Sequence, residues 1–181
     1  MQTKRIKLLI LGLLIFGCNN NDETLDPAPP SLSITPIAIN EISSFIAFGE
    51  TLSQNQLNPT IEYITNHANI LVQSASGGYV EAIQMNSNID DFEIWVKPSN
   101  NSQWLIIYDH ILNIKVSVGD KINAGDVLGS IGIGNRTELQ INQINHNQEI
   151  AYCPLNFGTN NFVQQHTNFS KNWCIAKTVT P

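Results

Sequence analysis

"LIIYDHILNIKVSVGDKINAGDVLGSIG" (residues 105–132) decides how this chain folds. Its second half, "VGDKINAGDVLGSIG", holds two Gly-Asp pairs flanked by Val118, Ile122, Val127, Leu128 and Ile131. Gly119 and Gly125 can take positive φ without a Cβ penalty, and Asp120 and Asp126 can bond backbone amides inside the same turns. The pattern predicts a tight staircase of very short strands at the corner of a compact sandwich. Just ahead, His110 rides on the apolar run "LIIYDHIL". Its role, catalytic residue or remnant of a lost site, is the question the surrounding sequence must answer.

Outward from this core the chain is strand-like. "ILVQSA" (70–75), "GGYVEAIQM" (77–85), "FEIWVKP" (92–98), "QWLIIYDHIL" (103–112) and "TELQINQI" (137–144) are short and rich in β-branched and aromatic residues. Turn signals separate them, among them "NSNIDD", "PSNN" and "GIGN". Several short strands at this spacing predict an all-β sandwich or barrel. A short helix is expected only near "NEISSFIAFG" (40–49), and residues 158–181 carry little pattern.

The N-terminus reads as a targeting segment. "MQTKRIK" supplies Lys4, Arg5 and Lys7, and "LLILGLLIF" follows as a short apolar block ending at "FGC". A charged start and about nine apolar residues fit a secretory signal and fall short of the ~20 that span a bilayer. "IFGC" resembles a bacterial lipobox, which makes residues 1–17 a signal peptide and Cys18 the lipidated residue; an ordinary secretory signal is the other reading. Residues 18–39 then form the lipidated Cys and a polar, Pro-containing tether. That placement implies the bacterial cell envelope, with the membrane held through the lipid anchor. The formal net charge is −6 and no basic stripe follows the N-terminus, which argues against nucleic acid as a partner.

Cys153 and Cys174 remain. Outside the cytoplasm they are expected to pair, closing a loop of about 20 residues worth roughly 3 kcal/mol in the chain-entropy model; two free thiols is the alternative. Their spacing fits no zinc-finger pattern.

The segment "YDHIL…VSVGDKINAGDVLGSIG" resembles the lysostaphin/LytM-type zinc peptidases, whose sequences run "Y-x-H-L" into "V-x-x-G-D-x-V-x-x-G-x-x-I-G". The resemblance covers roughly residues 45–157 and implies a LytM-like hybrid β-sandwich, a domain placed at 40–157 with a C-terminal extension at 158–181. It puts His110 on the family's catalytic histidine. By order along the chain, the first zinc-binding His falls on Asn58 and the Asp ligand on Glu62. In the "H-L-H" strand, matched by "ELQ", the second catalytic His falls on Glu138 and the last zinc ligand on Gln140.

Peptide hydrolysis in this family needs two His and one Asp around Zn2+, with two further His handling protons. Amide oxygens are weak zinc donors beside imidazole. Four of the five positions differ here. The resemblance therefore implies a degenerate domain without a metal cofactor, a groove presenting Asn58, Glu62, His110, Glu138 and Gln140 to peptidoglycan, or a regulator of cell-wall amidases. The alternatives are an active zinc endopeptidase with a rearranged metal set, built on Glu62, His110 and Glu138 or reaching His67, and a purely structural envelope module. His146 and His166 are expected in solvent, and Trp95, Trp104, Trp173 and Tyr108 in the core or at its rim.

Overall fold

The computed structural model describes residues 26–145 and 148–181. The signal segment, Cys18 and His146 lie outside the described residues. The strands are β1 (Ile42–Ile46), β2 (Thr51–Ser53), β3 (Gln56–Leu57), β4 (Ile61–Thr65), β5 (Leu71–Gln73), β6 (Gly78–Met85) and β7 (Phe92–Lys97). They continue as β8 (Trp104–Leu112), β9 (Lys121–Ile122), β10 (Val127–Ile131), β11 (Arg136–Asn145), β12 (Gln148–Tyr152) and β13 (Thr178–Val179). Among the described residues one α-helix, α1 (Asn160–Phe169), packs beside them. The main sheet runs β1-β4-β11-β8-β7-β6-β9; β10 pairs with β5 and β8, and β12 with β11 and β13. The fold is all-β, as the alternation and turn spacing predict.

Alternation along the central strands builds the core. Ile61 and Tyr63 of β4, Leu139 and Ile141 of β11, Ile106 and Tyr108 of β8, and Ile94 and Val96 of β7 are all completely buried in one cluster. Their neighbours Glu62, Glu138, Asp109, Glu93 and Trp95 take the opposite face. The staircase closes the core from the other side. Gly119 and Gly125 both sit at φ 91°. Asp120 Oδ2 accepts from Ser117 N at 2.8 Å, and Asp126 Oδ2 accepts from Asn123 N at 2.7 Å. Each step docks by a pair of backbone bonds, the first on Val80 and the second on Ser74.

Three expectations need correction. The stretch 40–49 is not helical: a 3-10 turn at Ile39–Glu41 leads into β1, which pairs with β4. A ten-residue helix is marginal alone, whereas "ISSFI" gains a whole ladder of partners in the sheet. The expected tether belongs to the body from Asp26 onward. Leu32 and Ile37 are fully buried. Leu32 N donates to Phe157 O at 2.9 Å, and Thr159 N donates to Leu32 O at 2.8 Å.

The tail at 158–181 is likewise built in. Thr159 caps α1 by accepting from Phe162 N, and Phe162, His166 and Trp173 are completely buried. Cys153 and Cys174 are disulfide-bonded with Cα atoms 5.9 Å apart, tying the segment after α1 to the end of β12. His166 is thus a core residue, not a solvated one. Its Nδ1 donates to Phe162 O at 2.8 Å, so its Nε2 accepts the Tyr63 hydroxyl at 2.9 Å. Trp173 Nε1 donates to the His166 carbonyl at 2.7 Å.

Burial lowers the His166 pKa to about 4, against the pull of the Phe162 carbonyl. The unfolded chain takes up this proton near pH 6.5, so the stability that neutral His166 supplies is full above 6.5 and is lost as pH falls toward 4. Urea unfolding at pH 7 and pH 4.5 will show a loss of about 2 kcal/mol that His166→Gln removes. Equal pH dependence in the two proteins would contradict the buried neutral imidazole.

Candidate functional site

Three adjacent strands set a row of carboxylates on one face. In the register of β4, β11 and β8, Glu62 lies opposite Glu138, and Glu138 opposite Asp109. Arg136, two residues before Glu138 on the same face of β11, donates from Nη1 to Glu62 Oε1 at 3.1 Å. Burial raises the Glu62 pKa, and the neighbouring Glu138 charge adds to this against the pull of Arg136. On β7, burial also raises Glu93, despite its hydrogen bond from Trp95 Nε1.

His110 stands where β8 changes partners. Asp109 is the last β8 residue paired with β11, and Ile111 the first paired with β10. The backbone turns at this switch, with His110 at φ 57°. That left-handed conformation is uncommon outside glycine, though His and Asn enter it more readily than most. It breaks the alternation, so the Asp109 and His110 side chains reach the same cluster. His110 Nε2 lies 3.5 Å from Glu138 Oε1 and 3.8 Å from Asp109 Oδ2. Gly132 packs against the turn: a Cβ there would meet the His110 Cβ at 2.6 Å.

Behind the ring stands Asp91, fully buried in the loop between β6 and β7. Its Oδ2 accepts from His110 Nδ1 at 2.9 Å and from Ile133 N at 3.2 Å. Asn86 Nδ2 bridges Asp91 Oδ1 and Asp109 Oδ1, at 2.7 Å to each. Burial alone would lower the His110 pKa. The hydrogen bond to Glu138, the charge of Asp109 and the bond to Asp91 outweigh it, and the pKa rises to about 9. At neutral pH the ring is an imidazolium that points both N–H groups at carboxylates. In that state it can give up a proton but cannot take one.

The structure brings Glu62, His110 and Glu138 to one place, and Gln140 follows Glu138 on the same face of β11. Gln140 Nε2 donates to Asn142 Oδ1 at 2.8 Å. Asn58 does not join them. Its Nδ2 donates to the carbonyls of Ala47 and Thr60, and its Oδ1 accepts from Thr60 N and Oγ1. This buried amide holds the loop between β3 and β4 together. His67 is exposed in the turn after β4. Sequence reading missed Asp91, Asn86, Asp109 and Arg136. Asp109 and Arg136 had a signal, since each sits at groove parity beside a named residue. Asp91 lay inside "NSNIDD", which reads only as a turn.

Solved structures share this architecture. A chain of the SpoIIQ–SpoIIIAH pore-forming complex matches at 18% identity over 77% of this chain and 98% of its own, with a TM-score of 0.57. Helicobacter pylori Csd3 matches at 16% identity over 78% of this chain, with a TM-score of 0.56. Lysostaphin matches at 18% identity over 65% of this chain, with a TM-score of 0.51. The fold is of the lysostaphin/LytM type. This chain spans 40% of Csd3 and 49% of the lysostaphin chain. No family model and no curated protein matches the sequence.

The LytM-type resemblance implies zinc, and the residues present do not fit it. Asn58 has both ends of its amide committed to its own loop, and Glu62 already faces a guanidinium. Asp91, Asp109 and His110 offer ligand atoms within 4.8 Å of one another. Each is already engaged: the two carboxylates by Asn86, and the ring by Asp91. Asn86 Nδ2 donates to one oxygen of each carboxylate, a donor where a cation site needs an acceptor. The bonded Cys153 and Cys174 offer no thiolate. Among the described residues, no helix is long and apolar enough to cross a membrane.

Proposed function

We propose that this chain is a non-catalytic lipoprotein of the bacterial cell envelope, anchored through Cys18. Its LytM-type groove binds a peptide of peptidoglycan or a cell-wall hydrolase that it regulates. One observation carries the reading: the His110 imidazolium is clamped between Asp91 and Glu138, 2.9 and 3.5 Å away. Asn58, at the position of the family's first zinc-binding His, is meanwhile bonded into its own loop, so the ligand set of a zinc peptidase is not assembled around that ring. Around it the groove presents the carboxylates of Glu62 and Glu138 and the Arg136 guanidinium, a pairing suited to the mixed amide, ammonium and carboxylate groups of a peptide stem. A chain of the same fold belongs to the two-protein SpoIIQ–SpoIIIAH complex, which supports a protein partner as well.

The test combines metal analysis with binding. Purified full chain is expected to carry far less than one equivalent of zinc, to release no soluble peptide from wall sacculi, and to co-sediment with sacculi or retain an amidase. Stoichiometric zinc with peptide release would establish the active-peptidase reading instead. Retention of neither partner would leave a structural module and overturn the proposal.

A further inference from the structure

A second cavity lies away from the carboxylate row, between the segment leading into β1 and the helix α1. Its volume is about 720 Å3, within the range of small-ligand sites. Both walls come from segments that flank the region of LytM-type sequence resemblance. Ile34, Ile39, Ile42 and Phe169 supply apolar lining. Phe169 meets Phe45 edge-on at 6.1 Å and Trp173 at 5.7 Å, and remains 40% exposed.

The lining also holds four carboxamides: Asn40, Gln73, Gln165 and Asn168. No lining residue carries a charge. None of these four side chains forms a hydrogen bond with another described residue, so each keeps its donor pair and its acceptor for a ligand. Backbone groups beside the cavity are engaged. Gln73 N donates to Pro36 O at 2.8 Å, and Ser33 N and Ile34 N both donate to Ala75 O. An extended peptide would dock by pairing with such backbone groups. A pyranose needs only side chains: amides for hydroxyls that both donate and accept, and an aromatic ring for its C–H face.

We propose that this cavity is a binding site for a neutral sugar, held by Gln165, Asn168, Asn40 and Gln73 and stacked on Phe169. The site is separate from the groove, so it stands or falls independently of the reading above. The test is titration of the full chain with chitotriose and with cellotriose, which distinguish acetamido from plain hydroxyl recognition, followed by calorimetry and amide NMR. Saturable binding of either sugar is expected, with shifts on α1 and residues 34–42. The double variant Gln165→Ala/Asn168→Ala and the single variant Phe169→Ala should each weaken it about tenfold, or ~1.4 kcal/mol, with a melting temperature close to that of the unmodified chain for the amide pair, whose side chains bond to no other described residue. Absence of saturable binding by both sugars would overturn the proposal. So would binding that survives both variants, shifts confined to His110 and Glu138, or binding of acetyl-pentaalanine-amide alone.

Discussion

Asp91→Ala will destabilise the fold by about 3–5 kcal/mol, the range for removing one member of a buried ion pair. The carboxylate is fully buried and accepts from His110, Asn86 and Ile133. Alanine leaves a buried imidazolium without its main-axis partner and two N–H donors without acceptors. Asp91→Asn should lose less, because it keeps the shape and one acceptor oxygen. In that variant the His110 pKa, now about 9, should fall. Urea unfolding reads the stability and NMR titration reads the ring. A loss below 1 kcal/mol, or an unmoved ring pKa, would show that Asp91 does not hold His110.

The second large effect lies under the helix α1. Trp173→Ala should lose about 3–5 kcal/mol, as for other buried tryptophans cut to alanine. The indole is fully buried, stacks on Phe45 at a centroid distance of 4.0 Å and donates to the His166 carbonyl. Its backbone carbonyl accepts from Phe48 N at 2.9 Å, next to the disulfide at Cys174. Removing the ring should free α1 first, so proteolysis within 160–173 should accelerate before global unfolding does. Trp173→Phe, which preserves a stacking ring, should lose less. A cost below 1 kcal/mol with unchanged proteolysis would mean that α1 is held by other contacts.

The sheet was legible wherever alternation and turn chemistry acted locally. Strands read at 92–98 and 103–112 form at Phe92–Lys97 and Trp104–Leu112, and the Gly-Asp staircase closes with the bonds its side chains can make. Glu62 and Glu138 were legible through the order of the family motifs, and the strand register brings them opposite one another; Asp109, opposite Glu138 on the next strand, was missed although it stands beside His110. Groups that arrive through tertiary routes were not legible. Asp91 reaches His110 from a loop 19 residues earlier, and no spacing rule connects them. Asn58 was misplaced because an asparagine before a turn can satisfy its own loop as well as face a groove. The helix α1 escaped because its buried stripe includes His166, which a hydrophobic pattern scores as polar. The segment from Asp26 escaped because Pro and Ser suggest a linker, while Leu32 and Ile37, buried with Pro30, Thr35 and Pro36, anchor it to the body.

The left-handed turn at residue 110 bears on how such a protein changes over generations. A site with φ 57°, hemmed in by Gly132, tolerates few replacements: glycine, asparagine, aspartate and histidine adopt that backbone with least strain. Most substitutions there would be purged for disturbing the chain's path, whether or not any reaction is at stake. A histidine at this position is therefore retained by backbone geometry alone, whatever its ring does.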